Sequence, residues 1–178
     1  MTTPAANRYA VIADDLTGAC DAGVAYAERS FRTIAWLEAS YADIESCDVT
    51  VLTTNSRRDP PETAGEKTAD TCRRLTDEGA RIVFKKIDST FLGNPGPEIE
   101  AVRAAGAFGV VRVCPAFPAM GRIVRGGLLR VAGADTPIDL AVRLREQCSC
   151  RVLSHAAPDT ETLQSIAGEG PALVAVSY

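Results

Sequence analysis

The stretch that decides the fold is VIADDLTGACDAG, residues 11–23. Its apolar run stops at two adjacent aspartates, Asp14 and Asp15, and a pattern typical of a helix follows. An apolar strand, a polar turn and a helix in this order indicate the first unit of a parallel α/β sheet. Thr17 is predicted to cap this helix, which would cover residues 18–29.

The composition is that of an ordinary globular protein. The 178 residues are 46% hydrophobic and 24% charged, which is enough apolar material for one domain covering residues 1–178. The net charge of −4 and the lack of a basic face argue against a nucleic acid or an anionic membrane as partner. The first residues lack a signal-peptide pattern, and every apolar run is too short to span a bilayer, so we expect a cytoplasmic protein.

Short β-like runs alternate with longer helical patterns along the chain. This alternation predicts an α/β fold with three layers, in which a mostly parallel, Rossmann-like sheet carries helices on both faces. The predicted strands are residues 9–13, 33–37, 49–53, 82–86, 110–114 and 173–177, with 151–154 as a weaker candidate.

Start signals define the other predicted helices. Asp59 is predicted to cap the second helix, with Pro60 at its first position, Glu62 as a capping-box acid and an end near Gly79. Further starts are predicted at residues 94–98, with Ile99, Val102 and Ala105 on the inner face, at residues 135–137, and after Asp159 as a cap. Gly126-Gly127, within residues 117–133, predicts a β-hairpin.

Polar residues cluster directly after three of the predicted strands. Ligands of open parallel sheets bind beyond the carboxyl ends of the strands, so these residues are expected to converge on one site. They are Asp14, Asp15 and Thr17 after the first strand, Thr54, Asn55, Ser56 and Arg57 after the third, and Lys86, Asp88, Ser89 and Thr90 after the fourth.

This mixture of side chains suits an acid that is also a polyol. Carboxylates accept hydrogen bonds from hydroxyl groups, hold Mg²⁺, or take the proton of a hydroxyl that attacks phosphorus. Arg57 offers a planar fork that matches a substrate carboxylate, and Lys86 offers a point charge.

Each of these motifs also has a structural interpretation. Asp14-Asp15 could form a solvated turn, Arg57-Arg58 a surface pair, and the KKIDST segment at residues 85–90 a capping turn. GNPGP at residues 93–97 is interpreted as a helix entry, because it lacks the spacing and lysine of a nucleotide-binding phosphate loop. The single histidine, His155, is expected to be structural, which leaves a Ser–His triad without support.

The six cysteines give little support for a metal site. They are scattered apart from Cys148-Ser149-Cys150, and no CxxC occurs. We predict no metal-ligating residues, and reduced thiols that pack as small hydrophobic side chains.

Three blocks, ADDLTGACDAG, KKIDSTFLGN and CPAFPAMGR, resemble the four-carbon acid sugar kinase family. The resemblance covers residues 9–133 and, more faintly, 151–177. It implies an amino-terminal domain that binds the sugar acid, with ATP and Mg²⁺ as cofactors. In this family ATP is bound by a separate carboxyl-terminal domain, and no glycine-rich ATP-binding half occurs within these 178 residues.

The resemblance also implies roles for individual residues. Asp15 or Asp88 would act as the catalytic base, and Arg57 with Lys86 would fix the substrate carboxylate. Leu92 stands where the family usually has an arginine, so one cation is missing. The substrate-binding set by resemblance is Asp14, Asp15, Thr17, Arg57, Lys86, Asp88, Ser89 and Asn94.

The resulting hypothesis is the substrate-binding domain of an ATP-dependent kinase for threonate-like or 3-oxo-tetronate-like acids. Its partners would be the small sugar acid and an ATP-binding domain supplied in trans, and a homodimer is left open. One alternative is a stand-alone sugar-acid-binding or regulatory module without catalysis. A further alternative is an unrelated hydrolase that uses Asp14-Asp15 with a metal.

Overall fold

The computed structural model describes residues 8–38, 43 and 46–177, and it confirms the predicted α/β class. The strands are β1 (Tyr9–Ala13), β2 (Thr33–Trp36), β3 (Val49–Thr53), β4 (Arg81–Lys86), β5 (Val110–Val113), β6 (Arg122–Arg125), β7 (Leu128–Val131), β8 (Ile138–Asp139), β9 (Arg151–Ala156) and β10 (Ala172–Ser177). The helices are α1 (Leu16–Ala27), α2 (Pro61–Asp77), α3 (Pro95–Ala105), α4 (Leu140–Gln147), α5 (Thr160–Gly168) and a short 3₁₀ helix (Pro118–Met120).

The first sheet has the order β2-β3-β1-β4, and all its strands are parallel. Successive side chains of β1 point to opposite faces, which explains its continuous apolar sequence. Ile12 packs with Leu75 of α2 on one face, whereas Val11 packs with Ala19 of α1 on the other. These contacts form the predicted three layers, helix on sheet on helix.

The remaining parallel strands form a second sheet with the order β5-β10-β9. This sheet is also covered on both faces, because Leu173 packs in the cluster of α4 and Val174 packs in that of α5. Helix α3 joins the two sheets, since Ile99 belongs to the core of the second and Val102 to the core of the first.

The predicted β-hairpin is confirmed. Strands β6 and β7 pair in antiparallel register, and β8 extends them into a three-stranded sheet. The turn is Gly126-Gly127, whose φ angles of 57° and 78° are the left-handed values that a two-residue hairpin turn requires. Among the described helices, none has the length and apolar character needed to cross a membrane.

Two helix caps differ from the sequence-based prediction. Asp15, not Thr17, caps α1: its extended backbone lets Oδ1 accept a hydrogen bond from the Gly18 amide at 2.8 Å. At α2 the cap position is Pro60, which makes no side-chain capping bond. Asp59 binds Lys67 instead, with 2.7 Å between the carboxylate and the ammonium.

The start of α4 was also wrongly predicted. Residues 135–137 precede β8, and the helix begins at Leu140, because Asp139 is the residue whose carboxylate caps the Val142 amide. The predicted cap of α5 is confirmed, since Asp159 accepts a hydrogen bond from the Thr162 amide at 2.8 Å.

Candidate functional site

The polar residues that follow β1, β3 and β4 lie at one edge of the first sheet. β1 is the central strand of these three, and its last residue, Ala13, is in register with Thr53 of β3 and Lys86 of β4. The chain therefore leaves the sheet at the same level on all three strands. The convergence inferred from the sequence is confirmed for these loops.

Arg57 clamps the two aspartates at the centre of the site. Its Nε and Nη2 atoms donate to both oxygens of Asp14, at 2.7 and 2.9 Å, and Nη1 donates to Asp15 Oδ2 at 2.5 Å. Burial lowers the pKa of Arg57, but the hydrogen bond to Asp14 and the charges of both aspartates outweigh it, so the pKa is raised. The guanidinium is thus a fixed positive charge.

Backbone contacts hold this clamp in place. The Ser56 and Arg57 amides both donate to the Asp14 carbonyl, at 2.9 and 3.3 Å. The loop after β4 then packs directly on the arginine at Gly93, whose φ is +83°. A Cβ there would lie 2.9 Å from Arg57 Cγ, so only glycine permits this close approach.

Lys86 lies beside the first turn of α1. A Cβ on Gly18 would come within 2.7 Å of Asp15 Oδ1 and 3.2 Å of Lys86 Cγ, so the lysine stem and the aspartate both pack against this glycine. The ammonium donates to the Ile87 carbonyl at 2.9 Å. One such bond uses one of its three protons, so the group retains donors for an anion.

Asp88 organises the loop that follows β4. Its Oδ2 atom accepts from the Thr90 amide at 3.1 Å, from the Leu92 amide at 3.2 Å and from the Thr90 hydroxyl. Burial raises the pKa of Asp88, but these hydrogen bonds and the charge of Arg57 outweigh it, and the pKa is lowered. Within the described part of the chain, Oδ1 receives no hydrogen bond, so an ionised oxygen remains open.

A buried ion pair below the site was not predicted from the sequence. Glu98 of α3 accepts from Ser56 Oγ at 2.6 Å and pairs with Lys85 Nζ at 2.6 Å. The two side chains are only 1% and 5% exposed. One feature of the sequence could have indicated this pair. Glu98 lies four residues before Val102 and therefore on the inner face of α3, where a carboxylate without a partner would destabilise the fold.

Three other predicted site residues have different surroundings. Asn94 is buried, and its amide nitrogen donates to the Ser56 and Asp59 carbonyls at 3.1 and 2.9 Å, so it fixes the loop after β3. Thr17 is exposed in the first turn of α1. Ser89 lines a neighbouring cavity. Their substrate contacts stay predictions.

That cavity has a volume of about 610 Å³ and separates edge strand β4 from edge strand β5. Phe84 and Val111 belong to its apolar walls, and Lys86 and Ser89 lie at its polar end. Phe117, from the third motif of the sequence analysis, lines it as well. The charge cluster therefore adjoins a space large enough for a small organic acid.

Among the thiols, Cys114 lines this cavity. All six cysteines are free, as predicted; Cys47 and Cys72 are buried, but Cys20 and Cys114 are exposed instead of packed. Burial raises the pKa of Cys72, which keeps it a neutral thiol. His155 is exposed near the end of β9.

The fold and this edge define an α/β domain with a cluster of charged side chains at the carboxyl ends of its first sheet. The chain belongs to the family of sugar-binding N-terminal domains, whose family model matches residues 9–152. The resemblance noted in the sequence is thereby confirmed, because this domain aligns with kinases of four-carbon sugar acids.

Three relatives illustrate the similarity. The chain is 41% identical over 128 residues to a D-threonate kinase of Cupriavidus necator, covering 70% of this chain and 30% of the relative. It is 39% identical to a D-erythronate kinase of Heliobacterium modesticaldum, covering 68% and 28%. It is 37% identical to a 3-oxo-tetronate kinase of Methylobacterium radiotolerans, covering 67% and 30%. The chain thus matches less than a third of each relative's length.

Solved structures share the fold. A Bordetella bronchiseptica protein with a domain of unknown function (DUF1537), described as a domain-swapped dimer with bound citrate, is 29% identical with a TM-score of 0.79. The match covers 96% of this chain and 47% of that protein. A Haemophilus influenzae protein with a TM-score of 0.77 is 24% identical and supports the fold alone.

Proposed function

We propose that this chain binds a four-carbon sugar acid of the threonate, erythronate or 3-oxo-tetronate type and presents it for phosphorylation by ATP. The names of the relatives support this substrate class. The Bordetella bronchiseptica protein, of which this chain covers 47%, is described with bound citrate, a tricarboxylic acid with one hydroxyl group.

The observation that carries the proposal is the Arg57 clamp with Lys86 beside it. Because three nitrogens of Arg57 already donate to Asp14 and Asp15, we assign the first contact with the substrate carboxylate to Lys86. Asp14 and Asp15 offset the charge of Arg57, so the attraction for an anion comes from the Lys86 ammonium and from the partial positive charge at the amino end of α1. These two groups favour an anion beside Lys86.

We assign the role of general base to Asp88. Asp15 is a weaker candidate because both of its oxygens have partners, the Gly18 amide and Arg57. Asp88 is ionised and keeps Oδ1 open, so this atom can accept the proton of a substrate hydroxyl as that hydroxyl attacks phosphorus. The Thr90 and Leu92 contacts to Oδ2 would hold the carboxylate in the required orientation.

Because Asp88 Oδ1 is assigned to the substrate proton, Mg²⁺ would be held chiefly by the phosphates of ATP. These 178 residues contain no glycine-rich loop with a phosphate-binding lysine, so Mg-ATP bound by a separate domain would supply the phosphoryl group. The residues of this chain would bind the acid, orient it and take its proton. A cytoplasmic location stays a prediction.

Calorimetric titration of the chain with D-threonate, L-threonate and erythronate, with and without Mg-ATP, tests this proposal. We expect one acid to bind at one site per chain whether or not Mg-ATP is present. Failure of all three acids, and of 3-oxo-tetronate, to bind would overturn it.

The role of Asp88 is tested by Asp88→Asn in an assay with an ATP-binding domain in trans. The amide cannot take a proton, so we expect acid binding within a few-fold of the parent but loss of turnover. Turnover at the parental rate would remove Asp88 from the mechanism. If neither form turns over while both bind acid, the chain acts as a binding module without catalysis.

A further inference from the structure

A second cluster of polar side chains lies between α3 and the turn that joins α4 to β9. It consists of Glu100, Cys148 and Cys150, each of which is partly buried. One ligand atom from each residue lies within 4.8 Å of the other two. The proposed sugar-acid site does not use any of these groups.

The separation of the two sulfurs matches a shared metal ion. Cys148 Sγ and Cys150 Sγ are 3.7 Å apart, far beyond the length of a disulfide bond. Two thiolates that each bind a tetrahedral Zn²⁺ at about 2.3 Å lie about 3.8 Å apart. We propose that Cys148, Cys150 and Glu100 form a binding site for a thiophilic divalent cation, Zn²⁺ by preference, with one coordination position left for water.

The carboxylate of this site is oriented in advance. Ser149, the residue between the two cysteines, donates its amide to Glu100 Oε2 at 3.0 Å and its hydroxyl to Oε1 at 2.8 Å. Hydrogen bonds that orient a ligand in this way strengthen metal sites. Each carboxylate oxygen keeps a second lone pair with which it can bind the cation.

The cysteines are anchored as well. The Cys148 amide donates to the Leu144 carbonyl at 3.0 Å, which ties this ligand to the end of α4. The Cys148 thiol donates to the Leu144 carbonyl at 3.0 Å, and the Cys150 thiol donates to Cys148 Sγ at 3.7 Å. Binding of the cation releases these protons to water as the two metal–sulfur bonds form.

The sequence did not indicate this site because its ligands are not spaced like those of common zinc motifs. Cys148 and Cys150 alone lack the usual zinc pattern, and the third ligand lies 49 residues before Ser149 in the chain. The folded chain joins them through the packing of α3 against α4. An ion bound here would link α3, which contacts both sheets, to the start of β9.

The test uses the reduced, chelator-treated chain titrated with Co²⁺ as a spectroscopic probe, followed by competition with Zn²⁺. We expect one Co²⁺ per chain with thiolate-to-cobalt charge-transfer absorption, and its displacement by Zn²⁺. Saturating Zn²⁺ should raise the midpoint of thermal unfolding by about 5 °C, since a ligand that binds only the folded state stabilises it.

Variants identify the ligands. Cys148→Ser and Cys150→Ser should each weaken Co²⁺ binding at least tenfold and reduce the charge-transfer absorption. Ser149→Gly should weaken binding about tenfold without reducing that absorption at saturation, because it changes only the orientation of Glu100. Cys20→Ser and Cys114→Ser, which remove exposed thiols, are the matched controls and should leave binding unchanged.

Circular dichroism and metal-free unfolding of every variant distinguish loss of a ligand from loss of the fold. Absence of charge-transfer absorption in the parent chain would overturn the proposal. So would absorption that persists when both Cys148 and Cys150 are replaced, or that disappears in Cys20→Ser. The acid titration is independent of this result, because the two sites share no residue.

Discussion

The carboxyl edges of the two parallel sheets differ although the sheets are built alike. At the first edge, Asp14, Arg57 and Lys86 follow three adjacent strands and form a compact set of charges. At the second edge, β5 continues into Cys114-Pro115-Ala116, and β9 continues into Ala157-Pro158 and the capping residue Asp159, so one carboxylate and no cation follow these two strands. Parallel topology provides an edge in both cases, and the residues placed after the strands decide whether charges of both signs meet there.

The ion pairs of the two regions also differ, in how far they are buried. Below the first edge, Lys85 and Glu98 are 5% and 1% exposed. Beside the second sheet, Arg151 and Glu169 are 32% and 67% exposed, although their 2.7 Å separation is similar. A buried charge depends on its partner far more than an exposed one does, so equal distances do not imply equal energies.

The largest effect is expected from Glu98→Ala, which leaves Lys85 buried without its counter-ion and removes the carboxylate that accepts from Ser56. We expect a loss of about 3–5 kcal/mol in the free energy of unfolding, measured by urea denaturation. The control in the second region, Glu169→Ala, should cost less than about 1 kcal/mol, since its pair is mostly exposed. Equal losses for the two variants would contradict this comparison of the regions.

The fate of Glu98 shows what the sequence can and cannot predict. The apolar runs of β1 and β3 and the Gly126-Gly127 turn have local patterns, and the structure agrees with them. Local competition misled the prediction of caps, because Asp15 and Thr17 are both good capping residues. Glu98 forms its bonds with residues up to 42 positions away, and no local pattern specifies such partners.

The clamp at the first edge shows a related limit. The sequence indicated that Asp14, Asp15 and Arg57 would meet, because they follow strands that are neighbours in the sheet. Their pairing with one another, which occupies three nitrogens of Arg57, depends on the position of each side chain within its loop. Periodicity does not report that geometry.

The next effect in size concerns the charge of the first edge. Lys86→Met should weaken sugar-acid binding about tenfold or more, because a hydrogen bond to a charged group contributes about 1.5–3 kcal/mol. The control Lys67→Met removes the same charge from α2, where the lysine pairs with Asp59, and should leave affinity nearly unchanged. Titration calorimetry measures both. Similar losses for the two lysines would indicate attraction by overall charge rather than by this site.

A smaller effect is expected from glycines in two helices. At Gly18 a Cβ would lie 2.7 Å from Asp15 Oδ1, so Gly18→Ala should displace the cap and the Lys86 stem. We expect a loss of about 1 kcal/mol in the free energy of unfolding, together with weaker acid binding. At Gly168 in α5 a Cβ meets open space, so Gly168→Ala should be neutral or stabilise by up to about 1 kcal/mol. Thermal unfolding measures both variants, and a lower midpoint for Gly168→Ala than for Gly18→Ala would contradict this prediction.

The smallest effect is expected on the pKa values of Asp88 and Asp159, two aspartates that accept hydrogen bonds from threonines. At the first edge the pKa of Asp88 is lowered although burial raises it, since hydrogen bonds from Thr90 and Leu92 and the charge of Arg57 outweigh burial. At the second region the pKa of Asp159 is lowered chiefly by hydrogen bonds from Thr162, on an exposed surface. Both carboxylates therefore stabilise the fold above their unfolded pKa, and this contribution is lost as the pH falls through their folded pKa.

Thr90→Val and Thr162→Val separate these causes when carboxyl titrations are followed by NMR. Thr162→Val should raise the pKa of Asp159 most of the way to the ordinary aspartate value, because it removes the largest favourable contribution there and leaves the bond from the residue-162 amide. Thr90→Val should return the pKa of Asp88 only partway, because the Leu92 amide and the Arg57 charge remain. Thr90→Ser keeps the hydroxyl and should preserve the low pKa. A full return in Thr90→Val would mean that Arg57 is screened from Asp88, and that the charges of this edge act separately rather than as one site.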